Sequence, residues 1–285
     1  MKKSRKKGVE NLNFPLKGKY VAMLAPSFVV DFQYPKVIAQ FGDLGFDKVV
    51  ELTFGAKMIN REYHKILEKS KKLMISSVCP GIVETIRAKL PEYKKNLIPV
   101  DSPMIATAKI CKKIYPQHKV VFISPCNFKK IESENSPYVD YVIDYKELNE
   151  LLKKFKGGLR EKNRKGSLLF DKFYNDYTKV YPLAGGLSKT AHLKNILKPN
   201  ETLIIDGIDD VIKFLNNSDK NIKFLDVTFC KGGCIGGPCI ISKLQLSSRK
   251  KRVLDYMKVA EKESIPENRK GIIKEAKGIS FKTSF

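Results

Sequence analysis

Residues 224–239 read FLDVTFCKGGCIGGPC, an apolar run that ends in two cysteines four positions apart across a Gly-Gly turn. A short run of this kind, apolar with little alternation, is the pattern of a parallel strand covered on both faces. The carboxyl end of such a strand is where open α/β sheets build their ligand sites. Gly232 and Gly233 tolerate left-handed backbone and leave N–H groups free to approach a bound group.

The same arrangement occurs twice more. Cys79 follows LMISSV and precedes Pro80, and Cys126 follows VVFISP. Candidate strands at 19–25, 47–52, 73–78, 119–124, 139–143, 202–206 and 222–228 alternate with candidate helices at 57–72, 81–90, 103–115, 145–155, 188–197 and 208–217. Ser102 before Pro103 is a good helix N-cap with proline at the first helical position. This alternation implies an α/β fold of mostly parallel sheets flanked by helices. Two lobes are expected, residues 18–117 and 118–248, with the site in the cleft between them. Residues 1–17 are basic and expected to be disordered or loosely packed. Residues 156–180, rich in Gly, Lys and aromatics, read as a surface excursion, and 249–285 as a basic helical extension.

Composition narrows the function. No stretch approaches the roughly 18 apolar residues of a membrane helix. The N-terminus MKKSRKKGVENLNF has no apolar segment behind its charges, so a secretory signal is not expected and a cytoplasmic protein is. In that compartment six cysteines do not imply a disulfide framework. The net charge of +24 allows nucleic-acid binding through phosphate neutralisation. Lys far outnumbers Arg, however, and the charges are scattered apart from runs at 2–7 and 249–252. A Lys-rich solvated surface is therefore the favoured reading, with docking of an acidic electron carrier as a third.

Cysteines at three strand ends, Cys79, Cys126 and the Cys230/Cys234 pair, supply the four thiolates usual for a 4Fe-4S cubane. Zinc is the competing metal, but zinc sites commonly bring two tight CxxC knuckles, and no such pair is present. Cys111 lies on the apolar face of helix 103–115 and reads as a small buried hydrophobe. Cys239 reads as a neighbouring thiol rather than a ligand.

With their flanks, SSVCP at 76–80, SPCNFKKIE at 124–132 and FCKGGCIGG at 229–237, these cysteines resemble the catalytic domain of the diiron (iron-only) hydrogenases. LAPSF at 24–28, FGA at 54–56 and DSPM at 101–104 extend the likeness to about residues 18–245. The resemblance implies that Cys79, Cys126, Cys230 and Cys234 hold a 4Fe-4S cubane. Cys234 would bridge to a diiron subcluster carrying CO and cyanide. It further implies that Lys129 contacts a cyanide and that Pro26 and Ser27 line the same pocket.

Departures from the family's pattern are equally informative. The cysteine that shuttles protons beside the first ligand is replaced by Val78. The rest of that relay falls at Tyr63, Ile66 and Ile98, and two methionines near the diiron unit fall at Ser124 and Thr228. The chain contains no Trp. Together with YPLAGGLSKTAHLKNIL at 181–197, this pattern is similar to the sensory or regulatory branch, with little hydrogen turnover. A separate electron-transfer protein or subunit would serve as partner. The alternatives are an iron–sulfur assembly or structural module holding only a cubane, and a basic nucleic-acid binder with a structural cluster. His64, His118 and His192 read as exposed polar residues, although His64 adjoins the altered relay position Tyr63.

Overall fold

The computed structural model describes residues 8–155, 168–175, 177–217 and 221–285. Among these residues seven parallel strands form two sheets. Tyr20–Leu24 (β1), Lys48–Glu51 (β2), Lys119–Ser124 (β4) and Tyr141–Asp144 (β5) make a four-stranded sheet in the order β2-β1-β4-β5. Met74–Ile75 (β3), Thr202–Asp206 (β6) and Phe224–Thr228 (β7) make a three-stranded sheet in the order β3-β7-β6.

Alternate residues of the larger sheet serve two core layers, as the twofold period of a strand requires. Val21, Met23, Val50, Val120 and Phe122 pack on one side, with residues of Thr53–Lys69 (α2) and Pro103–Ile114 (α4). Ala22, Leu24, Val49, Val121 and Ile123 pack on the other, with Lys36–Asp43 (α1), Tyr145–Lys154 (α6) and Leu246–Lys262 (α9). Pro80–Lys89 (α3) and Ile208–Asn216 (α8) cover the smaller sheet. Ser102 caps α4 by accepting from Ile105 N at 3.4 Å. Asp144 and Glu147 form a reciprocal capping box at the start of α6.

Four details differ from the sequence reading. The boundary at 117/118 does not separate the sheets, because β1 pairs with β4 across it and β3 pairs with β7. Residues 8–17 are anchored, with Leu12 and Leu16 buried in the core; residues 1–7 lie outside the described region. Within 156–180, residues 156–167 and 176 also lie outside it, but the remainder is no surface excursion. Phe170, Phe173 and Lys179 are wholly buried, because the aromatics of this segment complete the core. Finally, the helix expected at 188–197 is shorter, Gly186–Thr190 (α7) followed by a 3₁₀ turn at Leu193–Asn195. The basic C-terminal segment is one helix, α9, followed by short 3₁₀ turns. Among the described residues no helix is long and apolar enough to cross a membrane.

One polar contact binds these layers. Glu51, at the carboxyl end of β2, and Lys179 are both fully buried. Lys179 Nζ donates to both carboxylate oxygens at 2.8 and 2.7 Å, and Tyr256 of α9 donates to one of them at 2.6 Å. Thr53, opening α2, donates to the other at 2.8 Å.

Candidate metal centre

The first ligand candidate, Cys79, is the N-cap of α3, with Pro80 at the first helical position. The short strand β3 before it runs beside β7, with Ile75 opposite Leu225. Ser76 extends the pairing: its N donates to Leu225 O at 2.9 Å and its Oγ accepts from Val227 N at 2.9 Å. The chain segments bearing Cys79 and Cys230 therefore leave neighbouring strand ends together. A Cβ on Gly81 would stand 2.9 Å from the Phe229 ring, so only glycine allows this approach. Phe229 in turn lies 4.9 Å, ring to ring, from Phe128, two residues beyond Cys126.

The glycine-rich loop closes the site. Gly232 and Gly233 have φ of 77° and 78°, the left-handed region in which a side chain is strained. This turn lets Cys234 N donate to Pro182 O at 2.8 Å. The loop then lies on the end of β4: Cys239 N donates to Pro125 O at 3.1 Å, and a Cβ on Gly237 would meet that oxygen at 2.6 Å. A loop leaving the smaller sheet thus crosses to the end of the larger one, bringing the Cys234 segment to that of Cys126.

The thiols sense one another. Burial, then Cys79, Cys126 and Cys239, push the Cys230 thiol up to about 12. Burial and then Cys79 raise Cys126, against the amides of Phe128 and Lys129 and the Lys129 ammonium. Burial raises Cys234 as well, followed by Cys79, Cys126 and Cys230. Cys234 is nevertheless the most exposed of the four. Such a group gives up its protons only to a strongly bound cation, since the thiolate is the metal ligand. Tetrahedral zinc would hold its sulfurs roughly 4 Å apart. Among the described residues no three His, Cys, Asp or Glu side chains form a single-ion site. Four cysteine thiolates are the usual donor set of an iron–sulfur cluster.

Of the remaining cysteines one is remote from the site and one lies beside it. Cys111 is fully buried in the core around α4. Cys239 Sγ donates to Asn127 Oδ1 at 3.0 Å. Lys129 Nζ donates to Glu132 at 2.6 Å and to Ser102 Oγ at 3.1 Å, and stands 3.5 Å from Val78 O, beside the first ligand. Pro26 opens the 3₁₀ turn Pro26–Val30, and buried Ser27 Oγ lies 2.8 Å from Tyr145 OH. Asp31 fastens that turn to the end of the glycine-rich loop by accepting from Ile241 N and Ser242 N.

The altered relay positions carry apolar or buried side chains. Val78 packs partly buried against the core, and Ile98 is fully buried. Ile66 joins that packing. Tyr63 is fully buried; its hydroxyl accepts from Ser77 N at 2.8 Å and donates to Ser77 Oγ, which donates to Ile98 O at 2.6 Å. The histidines are engaged elsewhere: His64 with Ala191 O, His118 with Asp47, and His192 with the ring of Tyr177.

Ser124 and Thr228, the two departures from methionine, support the ligand segments with their hydroxyls. Ser124 Oγ accepts from Cys126 N at 3.0 Å and donates to Cys126 O at 2.9 Å, and Thr228 Oγ1 donates to Cys230 O at 3.2 Å. Each pins the backbone of the cysteine two residues ahead. Asp226 of β7 carried no signal in the sequence; it is buried, accepts from Ser188 N at 2.9 Å, and burial raises its pKa. A carboxyl raised above its unfolded value of about 3.9 stabilises the fold below that pH and loses the contribution as pH rises through its folded value. Asp226→Asn should therefore raise the melting temperature by roughly 2–4 °C at pH 8 and leave it unchanged below about pH 4. Thermal melts across that range check this; a lower melting temperature at pH 8 would mean that the carboxylate is needed charged.

Residues 18–238 match the family described as iron only hydrogenase large subunit, C-terminal domain. The chain belongs to this family. Iron hydrogenase 1 of Clostridium pasteurianum is 26% identical over 303 aligned positions, covering 82% of this chain and 52% of that protein. The family member described here thus spans about half the length of that relative. Among solved structures, a variant of the FeFe-hydrogenase HydA1 from Chlamydomonas reinhardtii superposes with a TM-score of 0.62 at 14% identity, over 90% of this chain and 86% of that one. A further FeFe-hydrogenase structure, concerned with oxygen inactivation of the H cluster, gives 0.63 at 15% identity over 92% and 89%. These likenesses agree with the α/β fold of parallel sheets flanked by helices.

Proposed function

We propose that Cys79, Cys126, Cys230 and Cys234 hold a 4Fe-4S cubane, and that the chain serves redox or hydrogen sensing with little hydrogen turnover. The observation that carries this reading is the meeting of four thiol-bearing segments beside relay positions that, among the described residues, hold no thiol or carboxylate. Cys234 would bridge to a diiron subcluster, with Lys129 beside it. That unit, when bound, supplies the hydrogen chemistry. The chain's own residues withhold the protons: Val78 has none to give, burial raises the Tyr63 hydroxyl far from neutrality, and Ile66 and Ile98 exclude water. Electrons would come from a separate protein, in the cytoplasm.

A positioned and resupplied acid contributes on the order of 10²–10⁴ in rate. Protein matured with the diiron unit should thus show infrared bands of bound CO and cyanide but evolve hydrogen slowly from a strong chemical reductant. Val78→Cys should raise that rate only modestly, about tenfold or less, because nothing behind it resupplies the thiol. Rapid wild-type turnover would refute the sensing role. A second reading, a module holding only the cubane, draws on Lys129: Glu132 already matches its charge, so it needs no anionic ligand. Absence of the infrared bands from cubane-loaded protein after maturation would favour that reading.

A further inference from the structure

Two carboxylates carried by strands lie in the core, and they differ in company. Glu51, at the end of β2, is neutralised by Lys179 and met by two hydroxyls. Asp226, in the middle of β7, is 3% exposed and has no such neutralisation. The amide of Ser188 donates to its Oδ2 at 2.9 Å, and no Lys, Arg or His stands near it among the described residues. A buried charge without a counter-ion is costly, so this carboxyl favours its protonated form.

The surroundings of Asp226 are nearly free of charge. From α2 comes Tyr63, and from the segment before α7 comes Tyr181, both within electrostatic reach. From α7 come Ser188 and the exposed Lys189. Ile204 of β6 lies opposite, and Asp206, two positions along the same face, is held by Gly232 N and Lys231. β3, on the other side of β7, has no ionisable residue.

Position ties this acid to the ligand segments. Leu225 and Val227 face the core of the smaller sheet, so Asp226 faces the opposite way, toward α2 and α7. Cys230 follows four residues later, no more than about 13 Å along an extended strand. Tyr181 senses both Asp226 and Cys234, and Pro182 after it accepts from Cys234 N at 2.8 Å. An electron on a cluster held there acts on the carboxyl through protein rather than water. At roughly 12 Å and an effective dielectric of about 20, one added charge strengthens proton binding about tenfold.

We propose that Asp226 takes up a proton when a cubane held by the four cysteines gains an electron, so that the redox state of the chain follows pH. One electron from the reductant enters the cluster, one proton from water joins the carboxylate, and no other bond changes. This inference rests on the cubane assignment above. Fast proton delivery is not needed, because a potential is an equilibrium property. Nor does the proton feed hydrogen turnover, since Tyr63 commits its own proton to Ser77 Oγ and Val78 has none to pass on. The sign follows from the charge. The potential is highest where the carboxyl is protonated in both states, and it falls as pH rises through the folded pKa.

Midpoint potentials of the reconstituted full chain, read from the paramagnetic resonance of the reduced cluster, test this. The range is about pH 5 to about 9, where a raised carboxyl titrates. Expected is a total fall of about 59 mV as pH rises, the one-electron equivalent of a tenfold change. Asp226→Asn should hold the potential constant, whereas Asp255→Asn, at an exposed position of α9, should keep the wild-type fall. Midway through the fall, reduced-minus-oxidised infrared spectra should show a carboxylic-acid band appearing in wild type and missing from Asp226→Asn. Circular dichroism establishes that each variant is folded. A flat potential in loaded wild type, or an unchanged fall in folded Asp226→Asn, overturns the inference. A chain that binds no iron and sulfide overturns the cubane reading and this inference with it, so the two failures are told apart.

Discussion

Lys179→Met should destabilise the chain by about 3–5 kcal/mol, the loss seen when one partner of a buried ion pair is removed. The carboxylate of Glu51 would remain fully buried with only the hydroxyls of Thr53 and Tyr256 to meet it. The cost is magnified by position, because this one carboxylate joins β2, the start of α2, the segment around Lys179 and α9. Glu51→Gln together with Lys179→Met should recover much of the loss, since neither then leaves a charge in the core. Urea denaturation of the single and double variants measures both effects. A single variant as stable as wild type would show that water reaches this pair.

Replacing Cys230 or Cys234 with Ser should remove the cluster altogether. Wild-type protein, reconstituted without oxygen, should bind about four iron and four sulfide per chain. Either substitution should reduce both to background, since a serine hydroxyl does not ionise as a thiol does. Cys111→Ser should keep the full complement, because that thiol is enclosed in the core. Cys239→Ser should keep it as well, its sulfur being bonded to Asn127. Iron and acid-labile sulfide analysis decides the matter. Stoichiometric zinc without sulfide, in place of iron, would sink the assignment.

Much of this structure was legible in the sequence, for physical reasons that also explain the rest. Strands such as β1 and β4 stood out because burial on both faces demands unbroken apolar runs, as in KVVFIS of β4. The ligand candidates stood out because each cysteine follows such a run beside Pro or Gly. Phe128–Glu134 (α5) did not, since its seven residues bury only Ser133 and carry no apolar stripe. Lys179 sat in a Lys-rich stretch, and nothing local says that one lysine of many enters the core; that depends on Glu51, far away in the chain. The hydroxyls of Ser124 and Thr228 bond to backbone, which leaves no pattern in residue types. Nor does the order of strands along a chain say which sheet each will join.

The interleaving of the sheets also fixes when the site can exist. β3, only two residues long, leads into the first ligand candidate and has β7 as its one strand partner among the described residues. During synthesis Cys79 therefore emerges long before the strand that will hold it in place. Pairings so distant along the chain form late and slow the search for the native state. Until β7 arrives, the end of β3 offers unpaired backbone to other chains. Any group held by Cys79 together with Cys230 would therefore have to enter after β7 has joined β3.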